Sequence, residues 1–385
     1  MTLLDNAELR VTEFPLSADV AYFNHAANAP YPQRTVAALD AANRAFAAPH
    51  RAPAADAVDP ISSARAAVAR IAGSAPERVA FVASLAHGIS ICAAGMAIEP
   101  GDEVIIPHAE YPSLALPFLA QQPRGLGVRW ARRDSEGRTD LEHMQSLVTE
   151  RTKAIALSHV EFADGWQNNL EALGEFAQSS GLLLIVDATQ SLAAMPMRLD
   201  DWGVHAAVAH GYKWLHAGYG IGVAIFSEEG LARIQPTHAG GQSITSAGFV
   251  DEQTLVFHEN ARRFETGGLP FTLISGMAAS LTLIEEIGVD AIHAHALALI
   301  DQIAAGAAER GWTVVTSLKD GDRSSILAIT SGDHDQNVAA QVALEEAGVI
   351  TVLRPRGIRI APTFYNNMDD VDRLLAALPT VSAAG

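Results

Sequence analysis

The chain has 385 residues, 49% of them hydrophobic, and its 26 basic and 44 acidic side chains give a formal net charge of −18 at pH 7. This length and apolar content predict a globular protein of two domains. The acidic balance argues against nucleic acid or an anionic membrane surface as a partner and favours a small-molecule ligand. The single cysteine, Cys92, excludes an intrachain disulfide and a cysteine-based zinc cluster, and its apolar neighbours are typical of an inert core thiol.

No uninterrupted apolar run approaches the roughly 20 residues that span a bilayer, and no secretory leader pattern opens the sequence. The histidines show no metal-ligand spacing. We therefore expect a cytoplasmic protein without a metal site.

Short apolar runs alternate with helical patterns from residue 78 to residue 227. Seven of these runs are typical of strands buried on both faces: RVAFVAS, DEVIIPH, GVRWARR, KAIALSHV, GLLLIVDA, AAVAHG and GIGVAIFS. The segments between them, such as AHGISICAAGMAI and NLEALGEFAQSS, have helical spacing. This alternation predicts an α/β fold with a mostly parallel sheet, whose ligands bind at the carboxyl ends of the strands.

After about residue 270 the pattern changes to long helices and a few short strands, which predicts a smaller α+β domain. We place the large domain at residues 15–260 and the small domain at 261–385, and we expect residues 1–14 to pack on the small domain. The Ala/Pro-rich stretch at 45–60 is predicted to be a surface loop.

Two charged residues stand among small and apolar neighbours. Asp187 ends the strand of LLLIVDATQS, where a buried carboxylate requires a cationic partner; the alternative is a helix N-cap. Lys213 follows the next strand, between the aromatic residues Tyr212 and Trp214. Such neighbours lower the pKa of a lysine, so Lys213 is suited to act as a nucleophilic amine. The alternatives are a lysine that extends its ammonium group to solvent, or a purely structural ion pair in an unrelated α/β protein.

The stretch ASLAHGIS places Ser84, Leu85 and Ala86 at a strand-to-helix junction. Free backbone N–H groups and the helix dipole attract an anion at such a junction, so it is a candidate phosphate site. The alternative is an ordinary capped helix.

These candidates belong to a larger set of motifs: VDATQS, AHGYKWLHAGYGIG, HAGGQ (238–242), RRFETGG (262–268) and IRIAPTFYNN (358–367). In this order and spacing the set resembles the class V aminotransferase family of fold-type I pyridoxal-phosphate (PLP) enzymes. That family also contains cysteine desulfurases, kynureninases and isopenicillin-N epimerase-like proteins. The similarity extends from YFNHAANAP (22–30) to the C-terminus. It implies a large domain with a mostly parallel seven-stranded sheet, a smaller α+β C-terminal domain, and a homodimer.

The resemblance assigns catalytic roles to three residues. It implies that Lys213 forms the internal aldimine with PLP and then moves the proton at the Cα of an amino acid. Asp187 would pair with the pyridine nitrogen of the cofactor, and Tyr111 would stack on its ring. The other residues implied to bind PLP are Ser84, Leu85, Ala86, Gln190, His210 and Tyr212. For His210 the alternative is a structural histidine at a strand end.

The same comparison implies the substrate contacts. Arg359 matches the arginine that clamps the substrate α-carboxylate, for which a planar guanidinium is suited. Asn28, in YFNHAANAP, is the second expected substrate contact.

The sequence departs from the family pattern in three places. Leu85 and Ala86 stand where hydroxyl side chains are frequent, which leaves backbone amides for the phosphate. Gly268 replaces the threonine that reaches the neighbouring subunit's phosphate. Phe162 replaces a frequent asparagine, so either Phe162 lines the pocket or Glu161 has a polar role there.

We expect a PLP-dependent aminotransferase. The alternatives within the family are a C–S or β-elimination lyase and an amino-acid epimerase, and the alternative of another class is a non-catalytic PLP-fold binding protein. Because no cysteine precedes Arg359 in EEAGVITVLRPRGIRI, the sequence argues against a desulfurase that uses a loop cysteine.

Overall fold

The computed structural model describes residues 7–48, 59–134, 136–245 and 255–381. Most of the predicted surface loop at 45–60 lies outside these residues. The strands are β1 (Ala21–Tyr22), β2 (Val79–Val82), β3 (Glu103–Pro107), β4 (Gly127–Ala131), β5 (Thr152–Ser158), β6 (Leu183–Asp187), β7 (Ala206–His210), β8 (Gly222–Phe226), β9 (Thr313–Val314), β10 (Leu327–Thr330), β11 (Val349–Ile350), β12 (Val352–Arg354) and β13 (Gly357–Ile360).

The α-helices of the described residues flank these strands. They are α1 (Ala7–Glu13), α2 (Gln33–Ala47), α3 (Pro60–Ala72), α4 (Leu85–Gly95), α5 (Pro112–Leu119), α6 (Leu141–Ser146), α7 (Leu170–Ser179), α8 (Glu228–Arg233), α9 (Phe271–Ile287), α10 (Val289–Glu309), α11 (His334–Glu346) and α12 (Met368–Ala377).

The large sheet has seven strands in the order β2-β8-β7-β6-β5-β3-β4. Six strands share one direction, and β8 runs antiparallel to both β7 and β2. Every residue of β2, β6 and β8 is buried, as expected for strands covered on both faces. The mostly parallel seven-stranded α/β sheet expected from the sequence is thus confirmed.

Helices cover both faces of this sheet because successive strand side chains point to opposite sides. Ile105 packs in a core with residues of α3, α7 and α9. Its neighbours Val104 and Ile106 pack on the other face with residues of α4 and α5. The carboxyl ends of the parallel strands lie between these two layers.

A second, antiparallel sheet has the order β12-β13-β10-β9. Ile329, Ile358 and Ile360 on one face pack in a core with residues of α10 and α12. Arg359 alternates with these isoleucines and pairs across the sheet with Ala328 and Val352, so it faces the other side.

The N-terminal segment joins this C-terminal part of the chain. Strand β1 pairs in parallel with β11, and Arg10 of α1 forms an ion pair with Asp370 of α12 at 2.8 Å. Helix α9 instead shares its core with the large sheet through residues such as Ile274. The domain limits at 15–260 and 261–385 stay a prediction.

Helix α10 is long and apolar enough, by length and composition alone, to cross a membrane. Its side chains Ile292, Leu299 and Ile303 are buried in the protein core. This is the pattern of a core helix.

Candidate active site

The carboxyl ends of the parallel strands bring the candidate residues to one edge of the large sheet. Asp187 is the last residue of β6, and Lys213 lies three residues beyond the end of β7. Tyr111 follows β3 and Ser84 follows β2 at the same edge. Residues more than 100 positions apart in sequence therefore surround one site, as parallel α/β sheets arrange their ligands.

Lys213 is 6% exposed, and its Nζ lies 5.6 Å from the ring centre of Tyr111. Among the described residues, no hydrogen-bond acceptor or carboxylate is paired with this amine. Burial lowers the pKa of Lys213 to about 8, against the opposing effect of the Asp187 carboxylate. The guanidinium groups of Arg359 and Arg354 lower this pKa further. A fraction of the amine is therefore neutral near pH 7, and that fraction increases as the pH rises through 8, as a nucleophile or base requires.

Asp187 is buried, and its Oδ1 accepts a hydrogen bond from the Thr189 N–H at 2.8 Å. No described helix begins at this turn, so the helix-cap interpretation of Asp187 is wrong. Burial raises the pKa of the carboxyl group, and its hydrogen bonds with Thr189 and the charge of Lys213 oppose the shift. A buried carboxylate with free acceptor capacity is suited to hold a cationic ring nitrogen.

The Gln190 side chain is held by two hydrogen bonds, one of them from the residue that follows Lys213. Its Nε2 donates to the Ala26 carbonyl at 2.9 Å, and its Oε1 accepts from the Trp214 indole at 2.8 Å. The second N–H and the second lone pair of the amide are left for another partner.

The start of α4 forms the candidate anion site. The Ser84 hydroxyl accepts from the His87 N–H at 3.1 Å and caps the helix, and the Leu85 N–H points to His210 Nδ1 at 3.4 Å. Burial and the nearby Lys213 lower the pKa of His210 to about 4, so its imidazole is neutral. Ala86 follows in the first turn of the helix, and its backbone belongs to the same terminus. The N-terminus of α4 therefore gives the site a partial positive charge that would attract a phosphate.

Two tyrosine rings border this terminus. The Tyr212 ring lies 4.6 Å from the His210 ring and stacks on Tyr219 at 4.2 Å. Burial raises the pKa of Tyr212 to about 12, so its hydroxyl keeps its proton and is able to donate a hydrogen bond.

Arg359 is 1% exposed, and only part of its hydrogen-bonding capacity is used. Its Nη1 donates to the Phe162 carbonyl at 2.6 Å, while Nε and Nη2 are buried and have no partner among the described residues. Burial, together with Arg354, lowers the pKa of Arg359 to about 9. Buried guanidinium donors without a partner are costly, and a carboxylate would satisfy two of them at once.

The structure answers the question that the sequence left open at Phe162 and Glu161. The Phe162 ring contacts the Tyr111 ring edge-on at 5.3 Å, and its carbonyl holds Arg359. The buried Glu161 accepts hydrogen bonds from Arg133 at 2.9 Å and from Asn168 at 3.1 Å. Phe162 therefore lines the site, and Glu161 has a polar role behind it.

The other predicted residues are exposed. Asn28 is exposed, and its carbonyl accepts from the Tyr22 hydroxyl at 2.8 Å. Thr266, Gly267 and Gly268 are exposed on the surface of the chain.

Sequence reasoning missed a buried carboxyl group, Glu110. It accepts hydrogen bonds from the Ser158 N–H at 2.8 Å and from the Ser158 hydroxyl at 2.6 Å, and so joins the ends of β3 and β5. Its position in HAEYP, directly after a strand, is the signal that could have identified it.

This set of groups fits PLP. The terminus of α4 suits a phosphate, Asp187 suits the ring nitrogen, and Lys213 offers an unpaired amine of lowered pKa. The buried, unpartnered donors of Arg359 suit the carboxylate of an amino acid. No cluster of three or more metal-ligating side chains is present in the described part of the chain.

Comparison with known proteins agrees with this assignment. The family model "Aminotransferase class-V" matches residues 21–374. A probable cysteine desulfurase of Methanothermobacter thermautotrophicus is 25% identical over 348 residues, which cover 84% of each chain. The crystal structure of the cysteine desulfurase CsdA of Escherichia coli superposes with a TM-score of 0.85, at 22% identity and over 96% of both chains. The cystine C–S lyase C-DES, in complex with its product cysteine persulfide, gives a TM-score of 0.84 at 21% identity, over 94% of this chain and 98% of that one.

These names correct two expectations from the sequence. The expected aminotransferase reaction, and the argument against a cysteine desulfurase from the missing loop cysteine, are both contradicted by relatives named for desulfuration and C–S cleavage. The family, the fold-type I architecture and the cofactor are confirmed. The chain belongs to the class V aminotransferase family, and it is a PLP-dependent enzyme.

Proposed function

We propose that this enzyme cleaves the C–S bond of a sulfur-containing amino acid, either cysteine or cystine. The observation that carries the proposal is the similarity to relatives named for that chemistry, which extends over 84% or more of the chain. The reaction belongs to the C–S lyase alternative of the sequence analysis.

The geometry supports an amino acid as the substrate. The unpartnered Nε and Nη2 of Arg359 would take its α-carboxylate as a bidentate pair. The Phe162 carbonyl fixes the guanidinium from the other side, so little side-chain entropy is lost on binding.

Lys213 would move the proton at the substrate's Cα. Its pKa of about 8 leaves a usable fraction of neutral amine near pH 7 to 8, so it is able to accept that proton. When bound, PLP withdraws electrons from Cα and so makes loss of this proton, and then of a sulfur substituent on Cβ, accessible. Asp187 would keep a proton on the ring nitrogen of the cofactor by its negative charge.

The Tyr111 and Phe162 rings would exclude water from the reacting atoms. Both lie beside residues that are almost fully buried, and the low local dielectric strengthens the charge interactions of Arg359 and Asp187. Aromatic rings also make favourable contacts with a substrate sulfur.

The test is an assay of the purified PLP-loaded enzyme with L-cysteine, L-cystine and sulfur-free amino acids. With an added thiol as sulfur acceptor, we expect consumption of a sulfur amino acid with release of its sulfur as sulfide or as a persulfide. Pyruvate and ammonia as co-products would identify β-elimination, and alanine would identify sulfur abstraction. Conversion of the cofactor to its pyridoxamine form by a sulfur-free amino acid, with cysteine and cystine left intact, would refute the proposal. The Lys213→Ala enzyme is the control for chemistry catalysed by free PLP.

We also propose that the enzyme is a homodimer. Tyr219 is 65% exposed beside the site, and Phe46 is 62% exposed, which leaves apolar surface for a second copy. Sedimentation of the holoenzyme as a monomer at micromolar concentration would refute this assembly.

A further inference from the structure

Lys213 lies in a closed backbone loop between β7 and β8. The Gly211 N–H donates to the Ile221 carbonyl at 2.9 Å, and the Ala217 N–H donates to the Gly211 carbonyl at 2.8 Å. Inside this loop the His216 N–H donates to the Lys213 carbonyl at 3.0 Å. The conformation of His216 therefore helps to fix the backbone at Lys213.

His216 has a φ of +50°, in the left-handed region that few residues other than glycine adopt. Its side chain is 1% exposed, and Nδ1 lies 2.8 Å from the Pro30 carbonyl. Because a carbonyl only accepts, Nδ1 carries the proton and donates it. A strained residue persists only where its surroundings hold it, and this hydrogen bond is one such restraint.

The imidazole of His216 is also packed on several sides by aromatic rings. The ring centres of Phe14, His25 and Phe364 lie 5.8, 4.7 and 5.5 Å away. Burial lowers the pKa of His216 to about 4, so the ring stays neutral near pH 7 and keeps the tautomer that donates to Pro30. The ring has no role among the groups that face the cofactor.

Pro30 belongs to an N-terminal strap, which we define as residues 23–30. The strap makes a second contact with the loop, since the Ala29 N–H donates to the Tyr212 carbonyl at 3.0 Å. Tyr212 directly precedes Lys213. The strap thus contacts the loop on both sides of Lys213, through the Tyr212 backbone before it and the His216 side chain after it.

The other end of the strap reaches the strand that carries Arg359. The Ala361 N–H donates to the Phe23 carbonyl at 2.7 Å, and Asn24 forms a bridge with Ala361. Arg359 lies two residues earlier on β13. The strap therefore connects the substrate-carboxylate arginine to the lysine loop by backbone hydrogen bonds.

We propose that His216 is a positioning residue, which locks the Lys213 loop onto the N-terminal strap and so holds the Lys213 amine in register with the Arg359 guanidinium. The proposal requires that PLP binds at Lys213, but it does not require that the enzyme cleaves a C–S bond. Its test therefore needs readouts that require no sulfur substrate, so that it stands or fails separately from the proposed reaction.

The experiment compares His216→Ala with His216→Asn. Alanine removes the hydrogen bond to Pro30, whereas asparagine tolerates the left-handed conformation and retains an N–H donor. His334→Asn, at an exposed position in α11, is the matched control. One readout is amide hydrogen exchange at Ala29, and the other is the pH midpoint of the cofactor absorbance of the holoenzyme.

In His216→Ala we expect the Ala29 amide to exchange about tenfold faster or more, because its hydrogen bond to the lysine loop opens more often. We expect the pH midpoint to shift by roughly half a unit or more, because the environment of the Lys213 nitrogen changes. Asparagine should restore both values. If alanine prevents folding, His216→Gly replaces it, since glycine adopts the same φ without strain.

Three results would overturn the proposal. The first is unchanged exchange and an unchanged midpoint in the folded alanine or glycine variant. The second is an asparagine variant that shows the full defect. The third is the same change in His334→Asn, which would indicate a general loss of stability.

Discussion

Arg359→Lys is the sharpest test of how this enzyme holds its substrate. Arginine offers Nε and Nη2 to a carboxylate in a fixed fork, whereas lysine keeps the charge but offers a single nitrogen. Losing one of two charge-assisted hydrogen bonds costs about 1.5–3 kcal/mol. At about 1.4 kcal/mol for each tenfold change, the Michaelis constant should rise roughly 10- to 150-fold.

The assay compares two sulfur compounds that differ only in the carboxylate. L-cysteine carries the group that Arg359 is proposed to bind, and cysteamine lacks it. We expect the variant to lose affinity for L-cysteine while any turnover of cysteamine is unchanged. PLP affinity, measured by absorbance, should also stay the same, because Arg359 is assigned to the substrate.

Arg356→Lys is the matched control on the same hairpin, since Arg356 pairs with Asp164 at 2.6 Å. Because the Arg356 guanidinium is already paired with Asp164, the variant should leave the Michaelis constant within about twofold of the wild type. An equal loss for both compounds in Arg359→Lys, or no change for L-cysteine, would refute the assignment of Arg359 to the carboxylate.

Three further predictions concern the reacting centre and the core. The neutral fraction of Lys213 increases as the pH rises through its pKa of about 8, so the rate of Cα-proton exchange should fall about tenfold per pH unit below that value; a flat profile from pH 6 to 9 would contradict its role as base. Asp187→Asn should still bind PLP but slow Cα-proton exchange about 10²- to 10³-fold, the usual cost of removing an electrostatic partner, and an unchanged exchange rate by NMR would count against it. Burial raises the pKa of Cys92 to about 12, so Cys92→Ala should keep full turnover while the free energy of unfolding falls by about 1 kcal/mol in denaturant melts, and a folded but inactive variant would show that the thiol takes part.

The sequence alone determined the large sheet, because strands buried on both faces leave near-continuous apolar runs that are visible without coordinates. All seven predicted runs form strands of that sheet. It also placed Asp187 and Lys213 at strand ends, since a charged residue directly after a buried strand is a local signal. The motif set identified the family and the cofactor, because each motif is a short run of residues that can be read directly in the sequence.

The tertiary structure decided what depends on contacts between distant segments. Arg359 meets the Phe162 carbonyl across 197 positions, and His216 meets Pro30 across 186. No local pattern reveals such pairs, because each partner lies on a different element and only the packing of the two sheets brings them together.

The reaction type was the part that sequence reasoning got wrong. Lys213 and Asp187 serve every reaction of the family, so their presence does not distinguish transamination from C–S cleavage. We expect that choice to depend on side chains that would surround the substrate beyond Cα, of which Phe162 is a candidate, and Phe162 lies in a loop that follows β5. A loop carries no periodic signal of its own, and its position is set by the elements that it packs against.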